Sequence, residues 1–369
     1  MNQSQTGRRL PGLIALLCAA LQAIAADEPR HVEREPLFFT GGSKTNATAQ
    51  LLWIPAGPPR LASSDGTRVF EAGRDFTWQA GSRTLTLTAE SRISFKTTAE
   101  LYPPPNSPNS YRARRGTTNQ WMLFGPGRVM HDLQTFASYT SREDWQRPRS
   151  TPAPDAQLGG LRTKLRARQP LKLVVLGDSI STGADASALA NVAPRQPGYP
   201  DLVARGLARR FGAVVTLSNL SVGGMDSAWG TSRVERVIAE APDLLIVAFG
   251  MNDASGRRKA EDFARLTRGI FEPVRAARPD CAVILVSSMT ANAEWSHAAP
   301  DLYPTYAAAL AKLTGPGVAF ADVTAVWSAI AARKKHLDLT GNGLNHPNDY
   351  GHRLYADTIL DVIGSKKEE

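Results

Sequence analysis

The feature that most constrains the fold is the run LKLVVL at residues 171–176, which ends at Gly177, Asp178 and Ser179. Five of its six residues are apolar and two are β-branched. Such a run reads as a strand buried on both faces, as in a parallel sheet covered by helices. Gly177 then allows a sharp turn, and Ser179 falls just beyond the carboxyl end of the strand. In open α/β sheets that edge is where ligands bind. Ser179 is therefore a candidate nucleophile, against the plainer role of a helix N-cap.

The pattern repeats downstream. Residues 214–218, 243–249, 282–286 and 318–320 are further apolar runs. Between them, Tyr199, Val203, Leu207 and Phe211 mark one helical face. Phe263, Leu266, Ile270 and Val274 mark another, with a kink expected at Pro273. Tyr355, Ile359 and Val362 mark a closing helix. This alternation predicts an α/β fold, a parallel sheet of about five strands with helices on both faces.

Upstream, residues 83–88 (RTLTLT) alternate with period two, and Ile93 and Phe95 continue the pattern. Phe76 and Trp78 form a similar pair, with residues 80–82 as a hairpin turn. Residues 51–54 and 121–124 are further strand candidates, and the proline-rich stretch 102–108 is a loop. The region predicts a small all-β sandwich or jelly roll. Of Trp53, Trp78, Trp121 and Trp145, most are read as core fillers, with a stacking platform for sugar rings as the alternative. Residues 146–169, rich in Pro and Arg, read as a linker. The expected division is a signal peptide at 1–26, a β-sandwich at 27–145, a linker at 146–169 and an α/β domain at 170–369.

Residues 1–26 carry Arg8 and Arg9, an apolar stretch over 13–20 and small residues at Ala23 and Ala25. That is the plan of a secretory signal, and it predicts a periplasmic or extracellular protein. The apolar stretch is too short to span a membrane. Removing it leaves Cys281 as the sole cysteine, so no internal disulfide is expected. The net charge is +9, but no basic run interleaves with aromatics, which argues against nucleic-acid binding. Six dispersed histidines and one remaining cysteine give no zinc-ligand spacing, and neither a metal nor a cofactor is expected.

Polar residues collect after the strands: Ser179, then Asn219 to Gly224, then Gly250, Asn252 and Asp253, and late in the chain Asn345, His346 and Asn348. Four such segments in this order resemble the SGNH (GDSL-type) hydrolase family over roughly residues 171–363. The resemblance implies a three-layer fold, Ser179 as nucleophile, His346 as general base, and an oxyanion hole built from the backbone N–H groups of Ser179 and Gly224 and the amide of Asn252. One departure stands out. The family pattern has Asp three residues before the histidine, where this chain has Gly343. Three readings remain open: a backbone carbonyl orients His346 in a Ser-His dyad, Asp338 or Asp349 supplies the acid, or activity is lost. The implied function is an exported serine esterase acting on O-acyl esters of carbohydrates, O-acetyl foremost. The arrangement resembles two-domain carbohydrate esterases with an N-terminal jelly roll. The alternatives are a lipase or arylesterase, and a non-catalytic carbohydrate-binding protein.

Overall fold

The computed structural model describes residues 30–113 and 120–365. The proposed signal segment lies outside the described residues.

Among the described residues, sixteen strands follow in order: β1 (Arg30–Leu37), β2 (Phe39–Gly41), β3 (Thr48–Gln50), β4 (Arg60–Ser63), β5 (Val69–Phe70), β6 (Phe76–Trp78), β7 (Thr84–Leu87), β8 (Phe95–Thr97), β9 (Ser110–Arg112), β10 (Trp121–Leu123), β11 (Thr135–Ser141), β12 (Leu171–Gly177), β13 (Val215–Asn219), β14 (Leu244–Ala248), β15 (Ala282–Val286) and β16 (Val318–Ala321). The helices are α1 (Thr98–Leu101), α2 (Arg128–Leu133), α3 (Asp155–Arg166), α4 (Tyr199–Phe211), α5 (Ser227–Thr231), α6 (Val234–Ala239), α7 (Met251–Ser255), α8 (Ala260–Ala277), α9 (Leu302–Ala311), α10 (Val323–Ala331), α11 (His336–Leu339) and α12 (Asp349–Ile363).

The first eleven strands make the N-terminal region. One sheet has the order β1-β11-β4-β5 and another β6-β7-β3-β2-β8, and β9 and β10 form a separate hairpin. Pairing is antiparallel except between β2 and β8. The expected hairpin exists: β6 pairs with β7 and Gly81 turns at φ 80°. Inward residues of both large sheets, among them Leu37, Leu61, Phe76, Leu85 and Tyr139, share one core. Residues 51–53 are buried and Ile54 is half-buried, but they form no strand. The reason lies in the amides of residues 52–54, which donate to side chains instead of a ladder: Leu52 to Glu35, Trp53 to the Tyr139 hydroxyl and Ile54 to Glu143.

Of the four tryptophans, Trp53 is 5% exposed and its indole N–H donates to the Trp145 carbonyl at 2.9 Å. Trp145 lies between Trp53 and the Arg333 guanidinium, 4.2 Å from its ring centre. These two are structural. Trp121 instead lines a surface groove with Tyr102 and Pro103 to Pro105.

The expected linker is not bare. It carries α3, which buries Leu158, Leu161 and Leu165. Before α3, Arg147 and Arg149 pair with Asp357 and Asp361 on α12.

The central sheet is the expected five-stranded one, all parallel, in the order β13-β12-β14-β15-β16. Burial explains its composition: every residue of β14 and β15 is buried. α8 runs through Pro273. Among the described residues no helix is long and apolar enough to cross a membrane. Cys281 is buried, and desolvation pushes its thiol up to about 12, so it is inert at neutral pH.

Candidate active site

The strand order places the site. The chain leaves β12 for β13 on one side and then crosses to β14 on the other. That reversal opens a crevice at the carboxyl ends of β12 and β14, where Gly177 and Ala248 are register partners. Gly177 is required by close approach, since a Cβ there would meet the Ala248 carbonyl at 2.5 Å. Beyond it the chain coils in consecutive turns rather than entering a helix. Thr182 donates to the Asp178 carbonyl at 3.1 Å and Ala184 to the Ser179 carbonyl at 3.0 Å. This winding keeps Asp185, in the left-handed region at φ 61°, at the same sheet edge as Ser179.

His346 arrives from the loop before α12. The Asn342 side-chain oxygen accepts the N–H groups of Leu344, Asn345 and His346 at 2.9, 3.0 and 3.2 Å, which fixes that turn. α12 then starts at its Asn348 cap, whose side chain accepts the Gly351 N–H.

The ring of His346 joins Ser179 to Asp185. Its Nε2 is 2.9 Å from the Ser179 hydroxyl and its Nδ1 is 2.7 Å from Asp185 Oδ2. A carboxylate only accepts, so Nδ1 carries the proton and Nε2 offers its lone pair to the serine hydroxyl. The Asp185 side chain is 5% exposed and that of His346 20%. The other Asp185 oxygen accepts the N–H of Gly127 at 2.5 Å.

This corrects the expectations for the acid. His346 is held by a carboxylate, not by a backbone carbonyl. Neither Asp338 nor Asp349 is its partner. Asp338 is fully buried, accepts from the amides of Phe38 and Lys335, and is pushed above the usual carboxylate range by burial. Asp349 accepts the Ser187 N–H at 2.8 Å, which ties the loop carrying Asp185 to the first turn of α12. Sequence reasoning passed over Asp185. One signal was available: residues 180–197 carry Gly183, Pro194 and Pro197 and no helical pattern, so an acid in that stretch stays beside the nucleophile.

Each residue expected as an oxyanion donor has a defined local setting. Asn252 sits in the first turn of α7, entered through Gly250 at φ 130°. One N–H of its amide is fixed on the Met225 carbonyl at 2.8 Å, which orients the amide as a whole. Gly224 has φ 79° and open space where a side chain would stand, and a Cβ on Gly223 would lie 3.7 Å from Ser179 Cβ. Asp253, also in α7, accepts from Ser227 and Arg258 and anchors α5 to α7. Asn219 donates to the Ser181 carbonyl at 2.7 Å, a structural part. Beneath the serine, burial pushes Asp178 up to about 7, opposed by its bond from the Ile180 N–H and by His346.

Residues 175–354 match the model of the GDSL-like Lipase/Acylhydrolase family. The chain is similar to two solved structures of a two-domain esterase active on acetylated mannans, one co-crystallised with mannopentaose. Each is 25% identical over 59% of this chain, covering 57% and 55% of those chains, with TM-scores of 0.46 and 0.47. It is also similar to an acetylxylan esterase from Geobacillus stearothermophilus, 18% identical over 53% of this chain and 95% of that one, with a TM-score of 0.42. The chain spans little more than half the length of the two-domain structures. No curated protein matches it.

Proposed function

Given that the chain carries a GDSL-like lipase/acylhydrolase domain, we propose that it is an exported serine esterase that removes O-acyl groups, acetyl foremost, from carbohydrates. The observation that carries the reaction class is the hydrogen-bonded chain Ser179–His346–Asp185. A serine hydroxyl is a weak nucleophile until a base takes its proton. In the proposed reaction Ser179 Oγ attacks the ester carbonyl carbon and its proton passes to His346 Nε2. Asp185 stabilises the imidazolium. The carbonyl oxygen becomes negative and is met by the N–H groups of Ser179, Gly224 and Asn252. One such donor is worth about 3 kcal/mol in the transition state. Collapse breaks the bond to the alcohol oxygen, which leaves with the proton from His346. Water repeats the cycle on the acyl-serine and releases the acid.

The carbohydrate assignment rests on an aromatic cluster and on the proposed export. Tyr111, Phe124, Trp295 and His297 form an aromatic cluster drawn from both regions, with ring centres 5.4 to 6.3 Å apart. Tyr111, Phe124 and Trp295 pack in one cluster with Leu344, two residues before His346. Ring faces of this kind suit sugar rings, and a secretory start suits a polysaccharide substrate. The non-catalytic alternative was motivated by the missing acid, and Asp185 removes that motive.

The test is acetate release from acetylated polysaccharide and from an aryl acetate by the wild type and Ser179→Ala. Cleavage of both by the wild type, with the variant inactive, is the expected result. Cleavage of the aryl ester alone would overturn the substrate, and a folded wild type inactive on both would overturn the reaction class.

A further inference from the structure

Resting on that reading of Ser179, His346 and Asp185, we infer that the N-terminal sheet region contributes a positioning residue to the active site: Gly127, whose backbone N–H fixes the Asp185 carboxylate. The carboxylate is gripped from both sides, by His346 Nδ1 on one oxygen at 2.7 Å and by Gly127 on the other at 2.5 Å. An N–H to a carboxylate is a charge-assisted bond, stronger than a neutral one. An acid on the histidine's own loop would be oriented by that loop. Asp185 comes from a loop 161 residues away in the chain, so its orientation needs an outside support.

The same segment touches the histidine loop as well. Gly125 donates to the Asn342 carbonyl at 3.1 Å. The Leu123 carbonyl faces Gly343, where the family pattern has its aspartate. Gly343 has φ 85°, and a Cβ there would come within 2.9 Å of that carbonyl. One stretch, residues 123–127, thus closes position 343 to a side chain and steadies the acid at 185 instead. Gly127 itself turns at φ 68° and ψ −123°, a conformation in which other residues are strained.

The support is itself held firmly. α2 follows directly, with Met130 buried against Phe38 and Leu123. His131 Nε2 lies 2.8 Å from the Ala193 carbonyl, and Gln134 donates to the carbonyls of Leu337 and Thr340. An anchored amide costs no reorganisation when the imidazolium forms.

The experiment is a kinetic cycle on the full chain with Gly127→Ala, Asp185→Ala and the double variant, beside Ser179→Ala. Displacing the amide is expected to lower kcat by about 10²-fold with KM little changed. In the Asp185→Ala background the same substitution should add almost nothing. Equal losses in both backgrounds would overturn the inference. If Asp185→Ala and Ser179→Ala retained full activity, the triad reading itself would fail, which is a different outcome. Should Gly127→Ala not fold, NMR of glycine-labelled protein gives the answer. The Gly127 amide proton should lie far downfield, move upfield in Asp185→Ala and stay in place in Ser179→Ala. A Gly127 signal indifferent to Asp185→Ala would overturn the inference.

Discussion

Two of the places where the N-terminal region meets the α/β region are built from opposite materials. At the first, three consecutive cations leave the end of α10. Arg333 bonds Leu52 and Glu143, and Lys335 bonds Thr40 and Thr48. Lys334, 1% exposed, donates to Glu35 and to the carbonyls of Pro36 and Gln50 at 2.6 to 2.8 Å. Glu35 is equally buried and also accepts from Tyr139, whose hydroxyl burial pushes to a higher pKa. At the second place a neutral amide, that of Gly127, bonds Asp185. The first joint involves no proposed reacting atom. The second is one bond from the proposed base. Buried charge holds the two regions together, whereas a fixed dipole sets the direction of a carboxylate.

The largest expected effect tests the second joint at its centre. Asp185→Asn keeps the shape but favours the wrong tautomer of His346, and kcat should fall about 10⁴-fold with the melting temperature nearly unchanged. A fall under tenfold would mean that His346 does not depend on this acid. Next, Lys334→Met leaves Glu35 and Asp338 buried without their counter-charge. Breaking a buried pair costs about 3–5 kcal/mol, to be read from urea unfolding. Under native conditions kcat should stay at the wild-type value. A kcat loss matching that of Asp185→Asn would erase the contrast between the joints.

The smallest effect is a change of slope. Asp178 titrates near 7 when folded and in the ordinary carboxylate range when unfolded. Between those values the folded state holds the extra proton, so this group alone makes stability fall as pH rises from about 4 to about 7. Burial acts oppositely on His336, lowered to about 4. There the unfolded state takes up the proton, and stability rises with pH over the same window. Asp178→Asn should therefore make stability climb more steeply with pH between 4.5 and 7. Identical slopes for variant and wild type would show that Asp178 is not a buried titrating acid.

How far the sequence could be read depended on whether a feature was local. The buried strand before Gly177 was legible because two-sided burial demands an unbroken apolar run. Ser179 and His346 were legible because each follows a recognisable block, and the structure brings them within 2.9 Å. The acid was not, since its partnership is a contact between two loops and leaves no spacing to read. α3 was a different failure. Pro154 before it and Gly159 and Gly160 within it suggested a linker, yet Leu158, Leu161 and Leu165 already had helical spacing. Packing against the sheet outweighed the glycine penalty, which is about 1 kcal/mol each. Residues 51–54 failed in the reverse sense, because apolar content reports burial and says nothing of who accepts the amides.

The seat of α12 has a consequence in time. His346 lies three residues before this helix, and Asp349 in its first turn ties down the loop that carries Asp185. The proposed nucleophile and acid leave the ribosome together, near the middle of the 369 residues. The proposed base, and the anchor for the acid, come only at the start of α12. While residues 186–345 are being added, the growing chain therefore holds two of the three proposed reacting groups without the third. On the proposed mechanism, the three groups come together only when α12 docks.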